Sequence, residues 1–397
     1  MMTKAIVKAE LLVWARERAK VTAEAAAKAV NVKPETLVKW EAGAEAPTLN
    51  QLRALATCYR FPLAVFYLPK PPKDFSPLRD FRRLPNADSE EISPNLAYHI
   101  RSAYERRELA LELHEGLGEA AASFRIRASL TTNPEELGKA VRDFLGVTVD
   151  DQKQAARKSR IFDFWRRRLE EKGILVFVIS GPHYGVELGE MRGFAIAKSP
   201  LPVIVINGKD SSQGGRSFTL LHELVHILLG ESALSNGNGD IGTGAEERRI
   251  ERFCDAVAAA TLMPRDLVLS FPEVRPAGER KWKDEVLSRI AQTIGVSRQA
   301  LLIRFVTLHR ATWDFYRVKA DQFDEERSAA AEREEKKSVP IKRPVMLMSW
   351  NGRSFTGLVL RSYYDQRITL NDVSSYLGAK LKHIPDLERA VFQGAEP

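Results

Sequence analysis

The sequence has few of the features on which secreted and membrane-spanning proteins depend. Its 397 residues include two cysteines, Cys58 and Cys254, which are too few for a disulfide framework and fit a reducing compartment. One of its longest apolar runs, GILVFVIS at 173–180, is far shorter than the roughly 20 residues of a membrane helix. We therefore expect a cytoplasmic protein with no membrane partner.

A strong charge bias is also missing. The chain has 60 Lys and Arg against 52 Asp and Glu, a net charge of +8, which permits contact with nucleic acid but does not establish it. A hydrophobic content of 44% is enough for a large core. The length favours two or three domains.

The apolar pattern predicts an α+β protein that is mostly helical. Three β-branched runs bounded by Gly and Pro predict the strands of a small sheet, namely GILVFVIS, MRGFAIAKS and LPVIVINGK. The predicted segments are a compact helical domain at 1–70, a proline-rich connector with a long helix at 71–130, a domain with the sheet at 131–316, a charged linker helix at 317–344 and a small helical module at 345–397.

The stretch FTLLHELVHILLG, residues 218–230, carries two histidines four positions apart. Positions i and i+4 share one face of a helix, so His222 and His226 can turn imidazole nitrogens to the same metal ion, while Glu223 lies beside it. Ser217 is the expected N-cap. The alternative is a buried helix whose two histidines are hydrogen-bonded core groups.

A third ligand is expected from EERRIERFCDAVAAATLMP, residues 246–264. A catalytic zinc has three protein ligands, and the small residues late in this segment indicate close packing against the histidine helix. We favour Glu251 as the ligand, with Asp255 accepting the second ring N–H of one ligand histidine. Cys254 is expected to be a packing residue. The rival ligands are Glu231, Asp240, Glu246 and Glu247.

This set of ligands predicts peptide hydrolysis. Zinc lowers the pKa of bound water to about 7, and Glu223 takes the proton and passes it to the leaving amine. The second and third predicted strands are candidate edges for a substrate that adds by β-pairing, with a covered strand as the alternative. The candidates for an oxyanion partner are His183, Tyr184 and Arg192.

FTLLHELVHILLG followed by IERFCDAVAAATLMP resembles the ImmA/IrrE family of zinc metallopeptidases. That family's pattern is an HExxH helix, then a Glu, an Asn or Asp four positions later, and Leu-Met-Pro; the resemblance spans roughly 170–310. Val257 and Thr261 depart from the usual Phe and Leu, so we expect different local packing. The resemblance implies Zn²⁺ as cofactor, with the following roles: ligands His222, His226 and Glu251, general base Glu223, and supporting carboxylate Asp255.

VTAEAAAKAVNVKPETLVKWEAG, residues 21–43, resembles the Xre/Cro-type helix-turn-helix. The resemblance implies an ion pair between Arg16 and Glu41, and residues 1–70 carry a net charge of +5, which favours DNA contact. Ala23 replaces the polar residue usual at the start of the second helix, and the negative charge of Glu35 opposes phosphate contact. The implied DNA contacts are Lys33, Pro34, Glu35, Thr36 and Lys39.

In the ImmA/IrrE family, a peptidase joined to such a module typically cleaves a repressor or antitoxin-like regulator under stress or phage control. The resemblance therefore implies a zinc endopeptidase that acts on a protein substrate and binds DNA, and a homodimer is compatible with it. One alternative is a transcriptional regulator or antitoxin whose zincin-like domain is a non-catalytic sensor or interaction platform. Another is a structural zinc site with Cys254 as a fourth ligand.

Overall fold

The computed structural model describes residues 4–71, 93–122, 126–180, 185–230, 233–235, 245–335 and 342–392. Side chains are described throughout these ranges except at 233–235, 245–246, 324–325 and 327–335. The chain separates into two units, Met1–Tyr104 and Glu105–Pro397. Among the described residues, none of the helices combines the length and the apolar character that a membrane crossing requires.

The first unit is a compact helical domain. Thr22 and Thr48 start two of its helices by accepting the N–H groups of Ala25 and Gln51 at 3.2 and 3.3 Å. Its elements are α1 (Ala9–Arg18), α2 (Ala23–Ala29), α3 (Pro34–Glu41), α4 (Leu49–Tyr59), a 3-10 turn (Leu63–Tyr67) and the start of α5 (Pro94–Gly116), which continues into the second unit.

The ion pair expected in this domain is present. Arg16 Nε and one terminal nitrogen lie 2.7 and 3.0 Å from the two carboxylate oxygens of Glu41, a bidentate arrangement that joins α1 to the end of α3. The core beside it contains Leu37, Trp40 and Leu52, all buried. This contact fixes the direction of α3 within the domain.

The second unit consists of a small sheet with helices around it. Its strands are β1 (Leu175–Ile179), β2 (Gly193–Ile196), β3 (Val203–Asn207) and β4 (Ala233–Ser235). Its helices are α6 (Pro134–Leu145), α7 (Val149–Arg157), α8 (Ile161–Glu170), α9 (Gln213–Leu229), α10 (Ala245–Leu262), α11 (Arg265–Leu269), α12 (Asp284–Ile294), α13 (Arg298–Thr307), α14 (Trp313–Glu335), α15 (Arg343–Asn351), α16 (Arg353–Tyr364), α17 (Leu370–Leu377) and α18 (Ile384–Phe392), with a 3-10 turn at Leu381–His383. The mostly helical α+β prediction is confirmed.

The sheet has the order β1-β3-β2-β4. β1 is parallel to β3, and β2 is antiparallel to both β3 and β4. The three predicted strands are confirmed, but the idea that β2 or β3 exposes an edge is wrong, because both lie inside the sheet. The edges in the described part of the chain are β1 and the unpredicted β4.

The helix with the two histidines covers one face of this sheet. Ser212 starts α9 by accepting the Gly215 N–H at 3.1 Å, and Gly230, at φ 79°, ends it. Ser217, the expected N-cap, lies inside the helix, where its hydroxyl donates to the Gln213 carbonyl at 2.7 Å. Side chains of α12 and α13 belong to the same hydrophobic core as those of α9, Leu287 and Leu301 among them.

The C-terminal module covers the other side of β1. The rings of Phe177 and Phe355 meet edge to face at 5.5 Å between centroids. Glu170, at the end of α8, accepts Arg166 Nε at 3.0 Å and the backbone N–H groups of Arg353 and Ser354 at 3.2 Å. A buried carboxylate is thus held at the start of α16, where the helix dipole favours negative charge.

We predict that Glu170→Gln lowers the free energy of unfolding by about 3 kcal/mol, because one partner of a buried ion pair loses its charge. Urea denaturation of the full chain, followed by tryptophan fluorescence, measures this. Glu171→Gln is the matched control: Glu171 pairs with Arg167 at 3.9 Å, with both side chains at least half exposed. Its cost is expected to be under about 0.5 kcal/mol, and equal losses in the two variants would contradict the prediction.

Candidate functional site

The HExxH residues lie in the most buried part of α9. His222 is 6% exposed, Glu223 is fully buried, and His226 is 1% exposed. Apolar neighbours on the same helix, Leu221 and Val225, pack into the core. Buried ionisable groups need compensating partners, so we expect these side chains to contact charged groups of another element.

Three side chains from α9 and α10, those of His222, His226 and Glu251, bring their donor atoms together in a small triangle. The Nε2 atoms of His222 and His226 are 3.2 Å apart. Glu251 Oε2 lies 3.1 Å from His222 Nε2, and Glu251 Oε1 lies 3.4 Å from His226 Nε2. Ligands placed tetrahedrally at the usual zinc distances are about 3.3 Å from one another. The donor set therefore fits a zinc ion in both chemistry and spacing.

A second carboxylate supports one of the two histidines. Asp255 Oδ1 lies 2.9 Å from His222 Nδ1, on the side of the ring opposite the triangle. A hydrogen bond at Nδ1 fixes the tautomer that leaves Nε2 free to bind a metal. The sequence did not indicate which histidine Asp255 contacts; the structure identifies His222. The Asp255 side chain is 57% exposed.

The helix-turn-helix domain presents a second candidate site on α3. Of the five predicted DNA contacts, Thr36 is half-buried and the others, Lys33, Pro34, Glu35 and Lys39, are exposed. Lys39 Nζ lies 3.1 Å from Glu45 Oε1. Val38, 55% exposed on the same helix, is an apolar surface residue that periodicity alone did not single out.

Comparisons with known proteins match the two parts of the chain that carry these candidate sites. Residues 169–306 match a peptidase-family model described as IrrE N-terminal-like domain, and residues 9–66 match a helix-turn-helix domain model. The order of the two matched domains corresponds to the ImmA/IrrE architecture with an N-terminal helix-turn-helix domain. No curated protein gives a significant sequence match to the chain. The matched peptidase family is one of metallopeptidases, so the second domain is of a metal-binding kind.

The C-terminal end of α10 in the IrrE N-terminal-like domain is held by three buried polar side chains. Arg142 donates to the Thr261 carbonyl at 2.8 Å, Gln152 to the Leu262 carbonyl at 2.9 Å, and Arg304 to the Met263 carbonyl at 2.9 Å. The last carbonyls of a helix have no backbone N–H partner within that helix, and positive charge is favourable beside them. Sequence reasoning missed all three side chains, which come from α6, α7 and α13.

The two positions that depart from the family pattern lie close to this anchor. Val257 and Thr261 are buried, and the Thr261 hydroxyl donates to the Val257 carbonyl at 2.8 Å. The hydroxyl of Thr261 is therefore hydrogen-bonded within its own helix. The substitution leaves no unpaired hydroxyl in the core.

Cys254 is also near the two histidines. Its sulfur lies with the ligand nitrogens of His222 and His226 in a group of atoms within 4.8 Å of one another, and its side chain is fully buried. The carboxylate oxygens of Glu251 lie 3.1 and 3.4 Å from the Nε2 atoms of His222 and His226, distances that suit ligands of one zinc ion. Glu251 is thus the better-placed third donor in this geometry.

The other predicted site residues fall into two groups. Glu247 is half-buried one turn before Glu251, and Arg192 is half-buried just before β2. Those whose side chains lie outside the described residues are His183, Tyr184, Glu231, Asp240 and Glu246.

The two carboxylates favour a charged His222. Burial opposes a charge on His222, but the hydrogen bonds that its ring donates to Asp255 and Glu251 outweigh burial and raise the pKa of His222 well above its usual value. Burial likewise opposes a charge on Glu251, but His222 and His226 outweigh it and lower the pKa of Glu251. A protonated His222 cannot bind a metal through Nε2, so metal and proton compete.

We predict that zinc binding to the metal-free protein releases about one proton per ion near neutral pH and tightens as the pH rises toward the pKa of His222. Titration calorimetry in buffers of different ionisation enthalpy measures the number of protons released. Asp255→Asn removes a negative charge that raises the pKa of His222, so this variant is expected to release fewer protons at the same pH. Equal proton release by the two proteins contradicts the prediction.

Proposed function

We propose that the protein is a zinc-dependent endopeptidase fused to a DNA-binding helix-turn-helix. The observation that carries the proposal is the triangle of donor atoms from His222, His226 and Glu251, with Glu223 buried on the same helix. A glutamate directly after the first histidine is the residue that water activation in HExxH peptidases requires. Asp255 orients His222 from the far side of its ring.

The protein's own residues account for the proton transfers. A zinc ion, when bound, supplies Lewis acidity that polarises a peptide carbonyl and makes water a better nucleophile at neutral pH. The Glu223 carboxylate accepts the proton of the attacking water and then gives it to the amine that leaves. Asp255 keeps Nδ1 of His222 protonated throughout.

The substrate we infer is a regulatory protein such as a repressor or an antitoxin-like factor. The helix-turn-helix domain supports this inference, because a DNA-binding module in the same chain raises the local concentration of the peptidase near other DNA-bound proteins. Stress or phage control of the cleavage is part of the same proposal. The extent we propose for the peptidase domain is 131–316, which contains the residues of the triangle.

One observation favours a second candidate function. Cys254 lies close enough to both histidines to be considered as an additional sulfur ligand, and a zinc with four protein ligands is structural rather than catalytic. In that case the domain is an interaction or sensor platform. The two functions differ in whether Glu223 is needed for the biological output.

We predict that Glu223→Gln retains zinc and loses at least about 10²-fold in peptide cleavage, since the general base is removed while the ligands remain. Metal analysis of the purified protein and a comparison of cellular protein fragments between wild type and variant test both parts. Glu247→Gln, which changes a half-buried carboxylate on α10, is the matched control and is expected to cleave normally. Fragments that persist with Glu223→Gln would falsify the peptidase proposal.

DNA binding is proposed to use the exposed face of α3. Lys33 and Lys39 supply positive charge for phosphates, and Pro34, Glu35 and Thr36 lie at the start of the helix, where base edges are reached in helix-turn-helix complexes. Glu35 can accept from the N4 amino group of cytosine. The bidentate pair of Arg16 with Glu41 keeps this face in a fixed orientation.

We predict that Lys33→Ala and Lys39→Ala each weaken DNA binding and reduce the slope of log affinity against log salt by about 1, because each removes one phosphate contact. Binding to a random duplex library at several salt concentrations provides the measurement. Lys70→Ala is the control, since Lys70 is equally exposed but lies beyond the matched residues 9–66. The same slope in all four proteins argues against α3 as the DNA contact.

A further inference from the structure

Strand β2 begins with a glycine that faces the candidate general base. Gly193 is buried and pairs with Ile206 of β3 and Ser235 of β4. A Cβ atom at this position meets three atoms of α9, namely Thr219 Cγ2 at 2.8 Å, Glu223 Oε1 at 3.0 Å and Glu223 Cγ at 3.1 Å. Carbon contacts are optimal at about 3.5–4.0 Å, so the side chains of Thr219 and Glu223 together occupy the space that any other residue at 193 needs.

The contact follows from the alternation of side chains along β2. Residues i and i+2 of a strand face the same side, so Gly193 and Ala195 both face α9, and Ala195 belongs to the same core as α9. Phe194 and Ile196, which point to the other face, are large. Small residues on one side only let α9 lie close to β2. At Gly193 the neighbouring residues of α9 are Thr219 and Glu223, which are one turn apart.

The start of β2 is itself fixed by a buried amide. Asn207 is 1% exposed, and its side chain donates to the carbonyls of Val186 and Met191 at 2.9 and 2.8 Å. Its backbone N–H donates to the Arg192 carbonyl at 2.8 Å. Both residues before Gly193 are therefore held by Asn207 of β3, so Gly193 cannot easily move away from Glu223.

We propose that Gly193 is a positioning residue for the Glu223 carboxylate. Its missing side chain leaves a space beside β2 that the Glu223 side chain partly fills, and Asn207 holds the backbone before Gly193 in place. This inference rests on the proposed peptidase function, because it assigns Glu223 the role of base. The requirement is one of space alone: the backbone of Gly193 lies outside the positive-φ region that favours glycine, so alanine is conformationally acceptable there.

The test is Gly193→Ala, which adds one methyl group against Glu223. We expect kcat on a library of internally quenched peptides to fall about 10- to 100-fold, as a displaced catalytic group predicts. We expect KM and zinc affinity to stay unchanged, because His222, His226 and Glu251 are not touched. Gly189→Ala is the matched control, since a Cβ at Gly189 has no atom within 4 Å; it is expected to behave as wild type.

A double variant separates displacement of Glu223 from general damage. Thr219→Ser removes Cγ2, the atom nearest the new methyl group, and keeps a hydroxyl that can donate to the Gly215 carbonyl as that of Thr219 does. Gly193→Ala with Thr219→Ser is expected to recover part of the lost kcat, relative to Thr219→Ser alone. Wild-type kcat in Gly193→Ala overturns the proposal, and so does a loss of activity that is accompanied by loss of zinc.

Crystal structures of the zinc-loaded wild type and Gly193→Ala give a readout that does not depend on activity. A Glu223 carboxylate in contact with Gly193 in the wild type, and displaced in the variant, supports the proposal. A carboxylate turned away from β2 in the wild type overturns it, even when the variant does not fold. If the wild type cleaves no peptide but its carboxylate lies against Gly193, the peptidase proposal fails and the positioning contact stands.

Discussion

The close approach of α9 and α10 is the constraint on which the rest of the second unit depends. Two imidazoles and a carboxylate meet there at 3.1–3.4 Å, within a largely apolar interior. Neither helix can keep these polar groups buried without the other, because an unpaired buried charge costs several kcal/mol. The site therefore forms only where these two helices pack against each other.

Much of the remaining structure serves to fix these two helices. The last carbonyls of α10 accept hydrogen bonds from side chains of three other helices. One of these side chains, Arg142, precedes its partner Thr261 by more than a hundred positions in the sequence. The N-terminus of α9 has glycine at position 214, where a side chain would collide with the backbone of Ser297. β2 presents glycine and alanine to the same helix. Each contact restricts one direction in which a ligand or base could drift, and catalytic groups tolerate little displacement.

Local sequence patterns predicted the helices and strands well, whereas the contacts between these elements were harder to infer. His222, Glu223 and His226 are recognisable because helical periodicity alone places the two histidines on one face. The strands β1 to β3 are recognisable by their β-branched runs. β4 was missed, since three residues within a glycine-rich segment give no periodic signal. Without β4, β2 was taken for a possible edge, although pairing with Ser235 places it inside the sheet.

The sequence by itself determined the helical character of the chain, the residue types of the candidate metal site and the place of α3 in a helix-turn-helix. Those features depend on neighbours within a few turns. Only the tertiary structure decided that Asp255 contacts His222, that Glu251 lies 3.1 Å from His222, and that Gly193 adjoins Glu223. These contacts join residues of separate elements, and their distances follow from how the helices and the sheet pack together.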